Sequence, residues 1–234
     1  LNDTDITEFR HLNKAAESAV NRSEDMLDRQ KQFIGNASHE LQTPLAVVSN
    51  RVEYLINNTS PSEEQLTELI KIDQSLRHSI RLNRTLLQLV RIESGEVAES
   101  EKVDIAEIIR ESVDTCNEIY EGKAIECHIT APNHLYIYIN ETLARTLVVN
   151  LVKNAYLHSE EGSSIEITLS DIALSISNSG TEPLDKGRVF DRFYTRTTRE
   201  GSTGLGLAIV RSIANHYGYT ASYNHEADRH RFTI

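Results

Sequence analysis

The chain has 234 residues, enough for two domains that each bury a core. Lys and Arg number 24 against 35 Asp and Glu, and the formal net charge of -11 excludes a general attraction to nucleic acid or to anionic membrane surfaces. The two cysteines, Cys116 and Cys127, form no C-x-x-C pair and match no zinc spacing, no apolar run approaches the roughly 18 residues of a membrane span, and a reducing compartment fits this usage.

The chain opens on Leu1 with no Met and no signal-peptide pattern, which reads as a fragment whose upstream part is missing. Up to Ser94 it holds one glycine, Gly35, and two prolines, Pro44 and Pro61, and so reads as long helices. Ile6, Phe9, Leu12, Ala16 and Ala19 keep a rough helical period, and residues 1–24 are expected as an N-terminal signalling helix. Leu27, Ile34, Leu41, Val48 and Leu55 then recur every seven residues, with Ala37, Leu45 and Val52 filling the three- and four-residue steps of a bundle seam. Turn formers at 57–62 break the pattern, and Ser62 followed by Glu63 and Glu64 reads as a helix start. A second seam through Leu69, Leu76, Ile80, Leu87 and Val90 completes a helical hairpin over 25–95. One hairpin gives each helix a single neighbour, so a four-helix bundle made by two chains, a homodimer, is expected.

Residues 96–102 are expected as a linker and 103–234 as a second domain. Its texture predicts helices at 105–120, 141–158 and 204–217, and strands at 124–130, 135–139, 165–169, 173–177, 219–223 and 231–234. Helices on one face of a mostly antiparallel sheet follow, so the fold class is α followed by α/β.

Within the first helix, the string Phe33-Ile34-Gly35-Asn36-Ala37-Ser38-His39-Glu40-Leu41-Gln42-Thr43-Pro44-Leu45 holds the reactive side chains. With Ile34 and Leu41 at the a position of the heptad, His39 falls at f, farthest from the seam, and its imidazole is expected to face water. Thr43 lies one turn on and Glu40 one residue on, so a hydroxyl shares the face of His39 and a carboxylate flanks it. A neutral imidazole can attack an electrophilic phosphorus while an adjacent carboxylate takes the ring proton. Pro44 cannot donate to the carbonyl of Glu40, and a bend beside the nucleophile is expected. A His-Glu pair alone is also what an ordinary solvated helix carries; the whole string is far less common. It resembles the H-box of the dimerisation and histidine-phosphotransfer domain of sensor histidine kinases, F-x-x-x-x-S-H-E-L-R-T-P-L, with Gln42 in place of the usual basic residue. The resemblance implies that His39 is the phosphoacceptor, Glu40 the base, and Thr43 a residue that positions water for dephosphorylation of the response regulator.

Asn150, Asn154 and His158 form one polar stripe at i, i+4 and i+8 on an otherwise apolar helix. An Asn oxygen can ligate Mg²⁺, which binds chiefly alongside substrate phosphates, and Asn154 is the metal candidate. Gly201-Ser202-Thr203-Gly204-Leu205-Gly206-Leu207 is a glycine-rich turn entering an apolar helix, which offers backbone amides and a positive dipole end to phosphate. Ahead of it, Lys186, Arg188, Arg192, Arg196 and Arg199 make a local basic lid in an acidic domain, set among Phe190, Phe193 and Tyr194. In this order the segments resemble the catalytic and ATP-binding domain of the same kinases, whose Bergerat-type α/β sandwich is shared with gyrase, Hsp90 and MutL ATPases. The N-box matches at Asn150 and Asn154, the F-box at Phe190-Asp191-Arg192-Phe193, and the G2-box at Gly204-Leu205-Gly206-Leu207. The G1-box departs: where the family has D-x-G-x-G, this chain has Asn178-Ser179-Gly180-Thr181-Glu182. Asn178 can still offer an amide oxygen to the adenine amino group.

The resemblance implies binding of ATP and Mg²⁺ by Asn150, Asn154, His158, Asn178, Gly180, Arg192, Tyr194, Arg196, Thr203, Gly204, Leu205 and Gly206. It also implies autophosphorylation of His39 and phosphoryl transfer to an Asp of a response regulator receiver domain. Two other readings compete: a hydrolytic ATPase, which lacks the general-base Glu because Asn150 stands there, and a degenerate dimeric scaffold, a pseudokinase, supported by the altered G1-box. Family habit places a sensor or membrane segment upstream and this chain on the cytoplasmic side of a bacterial inner membrane.

Overall fold

The computed structural model describes residues 3–195 and 203–234; within the first helix many side chains before Leu41, that of His39 among them, lie outside the description. The chain divides into two units, Leu1–Ser94 and Gly95–Ile234.

In the first unit, helix α1 runs over Asp3–Asn58, 56 residues, or about 84 Å at 1.5 Å per residue. Thr59 Oγ1 donates to Leu55 O at its C-terminal end. After Pro61, helix α2 covers Glu63–Glu93 and opens on a capping box: Gln65 N donates to Ser62 Oγ at 3.2 Å and Ser62 N to Gln65 Oε1 at 2.9 Å. Glu63 and Glu64 add negative charge at the positive end of the helix. The two helices pack along each other as a hairpin.

The seams are divided differently from the heptad reading. On α1, Val52 is buried and Leu45, Ser49 and Ile56 are half-buried, whereas Leu41, Val48 and Leu55 stay 54%, 45% and 42% exposed. The apolar stripe is wide enough for two contacts, and α2 covers only one edge of it. On α2 the inward positions at three- and four-residue steps are Leu66, Leu69, Asp73, Leu76, Ile80, Asn83, Leu87 and Val90. Two of these are polar, Asp73 and Asn83, and the sequence reading passed over both.

In the second unit the order is β1 (Glu101–Asp104), α3 (Ile105–Ile119), a 3₁₀ turn at Glu121–Lys123, β2 (Glu126–Thr130), β3 (Tyr136–Ile139), α4 (Glu141–His158), β4 (Ser164–Ser170), β5 (Ala173–Ser179), α5 (Gly206–His216), β6 (Ser222–Glu226) and β7 (Arg229–Thr233). Strands β1 and β3 form a two-stranded antiparallel ribbon, so the last two residues of the expected linker, Glu101 and Lys102, are strand. The other strands form one sheet in the order β2-β4-β5-β7-β6, with β2 and β4 parallel and every other neighbour antiparallel. A parallel pair needs a crossover, and α4 lies within it.

Alternation along β4 and β5 sends Ile165, Ile167, Leu169, Leu174 and Ile176 to one face, where they are sealed. Helix α4 packs on β5 and on α3 and α5, and buries Leu147, Leu151, Val152 and Ala155. The opposite sheet face is polar: Arg229 lies along it, donating to Ser177 Oγ at 3.0 Å and Ser164 Oγ at 3.1 Å.

Candidate functional site

The string from Phe33 to Leu45 lies wholly within α1, so His39, Glu40 and Thr43 are helical residues with His39 and Thr43 one turn apart. Glu40 and Thr43 are exposed; the side chain of His39 lies outside the described residues. Pro44 sits inside the helix and supplies no N–H to the carbonyl of Glu40.

In the second unit, Asn140 caps α4 by accepting from Leu143 N at 3.2 Å. The helix holds Asn150, Asn154 and His158 half-buried on one stripe while Leu151, Val152 and Ala155 go into the core. Asn150 Nδ2 donates to Thr146 O at 2.7 Å, and a Cβ built on Gly206 would stand 2.8 Å from Asn150 Oδ1. The second glycine of the G2-box is therefore small because the N-box amide presses against it. Helix α5 begins at Gly206 and not at Gly204; Gly204 has φ +66°, which a helix cannot contain. Buried Leu205 stands at the N-cap with no side-chain cap bond, and its own N–H reaches Thr203 Oγ1 at 3.4 Å. The following amides of the first turn have no side-chain acceptor at the N-cap, which suits an anion.

Phe193 N donates to Gly204 O at 2.9 Å, and Phe193 is itself left-handed at φ 63°. A Cβ on Gly204 would meet the Phe193 backbone at 2.8 Å. F-box and G2-box thus meet across the residues between them. Phe190 anchors this corner in the core, edge-on to Phe232 at 6.2 Å. Tyr194 accepts from Asp185 N at 3.2 Å, and the Arg188 guanidinium stands 5.6 Å from its ring centroid. Arg192 is exposed; Arg196 and Arg199 lie outside the described residues, as do Gly201 and Ser202.

Asn178 is not a loop residue. It is the sixth residue of β5, 1% exposed, and donates through Nδ2 to Ser179 O at 2.9 Å, which leaves Oδ1 as the group to offer a ligand. Gly180 comes just after the end of β5 and has no room for a side chain because the His230 ring lies against it.

Sequence reasoning missed two supports. Lys123 Nζ donates to Tyr156 O, Leu157 O and Ser159 O at 2.8, 2.9 and 2.9 Å, closing the end of α4 beside His158. Rings of the β6–β7 hairpin surround Gly180. Both come from far away in the chain, and neither leaves a local signal. Behind the stripe, Tyr156 Oη donates to Asn117 Oδ1 at 2.6 Å, and burial pushes its hydroxyl pKa up. Burial also raises the thiol pKa of Cys116 and Cys127. Among the described residues no three His, Cys, Asp or Glu side chains gather to hold a metal ion.

The sequence profile of the His Kinase A (phospho-acceptor) domain matches residues 29–95, and that of the histidine kinase-, DNA gyrase B- and HSP90-like ATPase matches 139–234. The chain is 29% identical over 218 residues to sensor-like histidine kinase SenX3 of Mycobacterium tuberculosis, covering 87% of this chain and 53% of that one. It is 31% identical over 208 residues to sensor protein CiaH of Streptococcus pneumoniae, covering 82% of this chain and 45% of that one. It therefore spans about half the length of these curated relatives. A full-length ShkA structure in complex with AMPPNP shares the fold, with TM-score 0.71 and 23% identity over 87% of this chain and 45% of that one. With a phosphoacceptor domain followed by an ATPase domain, the chain belongs to the sensor histidine kinases of two-component systems.

Proposed function

We propose that the chain binds ATP in its second unit and transfers the γ-phosphoryl group to His39, from which it passes to an Asp of a response regulator receiver domain. The observation that carries this reading is the meeting of three sequence-distant boxes: Asn150 presses on Gly206, and Gly204 is locked to Phe193. That assembly sets the uncapped amides at α5 beside the polar stripe on α4.

In the transfer, the neutral His39 imidazole attacks the γ-phosphorus, a nitrogen–phosphorus bond forms, and the bond to the β-bridging oxygen breaks to release ADP. The ring proton passes to the exposed Glu40 carboxylate. Amides at the start of α5 and the lid cations, Arg192 and Arg196 among them, stabilise charge on the phosphate oxygens. Asn178 Oδ1 accepts from the adenine amino group, with Gly180, His158 and Tyr194 placed around the nucleotide. Thr43 positions water for dephosphorylation of the regulator. A neutral Asn oxygen fits Mg²⁺ as a single protein ligand, so Asn154 would hold an ion that takes its other ligands from phosphate and water and neutralises phosphate charge.

The exposed Leu41, Val48 and Leu55 stripe supports a homodimer. No helix among the described residues is long and apolar enough to cross a membrane, and the relatives' names as sensors support a sensor or membrane segment upstream of α1, with this chain on the cytoplasmic side.

The test is incubation with γ-labelled ATP and Mg²⁺ beside His39→Ala and Asn154→Ala. Acid-labile label on the unaltered chain alone is expected. Nucleotide binding without label would point to a scaffold, and steady phosphate release from His39→Ala to an ATPase; either would overturn the kinase reading.

A further inference from the structure

In the G1-box the second glycine is replaced by Glu182, and the segment from Gly180 to Leu184 is met by rings from the β6–β7 hairpin. His230 on β7 lies directly opposite Asn178 on β5, and on β6 His225 lies opposite His230 and Tyr223 opposite Phe232. At one end, Gly180 N donates to Asp228 O at 2.9 Å and Gly180 O accepts from His225 Nε2 at 2.7 Å. A carbonyl can only accept, so Nε2 of His225 carries the proton. At the other end, Leu184 N donates to Tyr223 Oη at 3.0 Å, and that hydroxyl shares a hydrogen bond with His230 Nδ1 at 2.8 Å. The rings are packed on one another, with centroids 5.0 Å apart for His225 and His230 and 5.9 Å for Tyr223 and His230. Any Cβ on Gly180 would run into the His230 ring.

We propose that Tyr223, His225 and His230 are positioning residues of the nucleotide site: they clamp the backbone at Gly180 and Leu184 and so hold Asn178 Oδ1 in place for the base. The proposal rests on the reading of Asn178 as the base-recognising residue. A neutral amide oxygen is a weaker acceptor than a carboxylate, and fixing it in advance removes an ordering cost from binding. The clamp's hydrogen bonds to Gly180 and Leu184 lie at the base end of the site. Their loss therefore weakens nucleotide binding and leaves phosphoryl transfer at saturation unchanged.

The experiment uses the full chain and titrates AMPPNP calorimetrically, with autophosphorylation rates measured over a range of ATP. His225→Leu is expected to weaken binding about tenfold, the worth of one well-placed hydrogen bond. His225→Gln, which keeps an N–H donor, recovers most of that affinity, and kcat at saturating ATP stays level in both. Gly180→Ala and His230→Ala each weaken binding, and the double variant binds no worse than the poorer single one, because removing the ring makes room for the added methyl. Unchanged affinity in His225→Leu, a fall in kcat at saturation, or additive losses in the double variant would overturn the clamp. If Asn178→Ala binds AMPPNP as the unaltered chain does, the base-recognition reading fails and the clamp with it. If Asn178→Ala weakens binding while His225→Leu does not, the clamp alone fails.

Discussion

Two glycines that both carry positive φ separate conformational cost from steric cost. Gly162 at φ +68° has nothing within 4 Å of a built Cβ, whereas at Gly204, φ +66°, a Cβ would meet Phe193 Cα and C at 2.8 Å. Gly162→Ala costs only the left-handed conformation, about 1–2 kcal/mol. Gly204→Ala adds a backbone collision that no rotamer change relieves and is expected to cost on the order of 2–4 kcal/mol. Urea unfolding of the two variants, with AMPPNP binding beside it, checks this: only Gly204→Ala is to lose nucleotide affinity. The positions of Gly204 and Gly206 in one turn and of Asn150 and Asn154 on one helix stripe were legible in the sequence because helical spacing and a glycine-rich turn are local patterns. His225, His230 and Lys123 were not, since their partners lie tens of residues away and only the folded sheet brings them together.

Helix α3 shows how one side chain can found an element. Asp104 caps it by accepting from Ala106 N at 3.1 Å, and also accepts from Leu135 N at 3.0 Å and pairs with His134 Nδ1 at 2.6 Å. Burial pushes its carboxyl pKa up, but the hydrogen bonds from His134, Leu135 and Ala106 outweigh that and hold it below the usual carboxylate range. A depressed folded-state value means that the stabilisation is fully present above the unfolded pKa of about 3.9 and is lost as pH falls through the folded one. Asp104→Ala is expected to cost about 1–3 kcal/mol at neutral pH, and the gap to the unaltered chain narrows below about pH 4. Thermal melts of both chains from neutral pH to well below pH 4 measure it. The same ribbon marks where element reading stopped. Glu101-Lys102-Val103-Asp104 is too short and charged to announce a strand, and exists as one only through β3. At the other end, β6 lies three residues later than expected because its hairpin turns on Ala227 and Asp228, both at positive φ, without the glycine that usually signals such a turn. Helix α4, with its N-cap Asn140 and unbroken period, was read to the residue.

For the whole molecule, the stripe of Leu41, Val48 and Leu55 separates the hairpin from the assembly. These side chains are exposed in a single chain, whereas Val52, one turn on from Val48, is already sealed at 6%. Val48→Glu with Leu55→Glu is expected to give a folded monomer with unchanged helix content, read by light scattering and circular dichroism. A dimer that survives both charges would sink the four-helix bundle. The period of seven was legible, but which edge of it faces α2 was not, since apolar spacing fixes a stripe and leaves its division between two neighbours open.

Strand β7 comes last in chain order yet lies inside the sheet, between β5 and β6. Until residues 229–233 are in place, β5 has only one neighbour, β4, and the strand that carries Asn178 is an open edge. During synthesis the helical hairpin can therefore fold first, and the surroundings of Asn178 cannot close before the sheet does. A ribosome making this protein finishes the helix that carries His39 well before it finishes the strand that seals Asn178 inside the sheet.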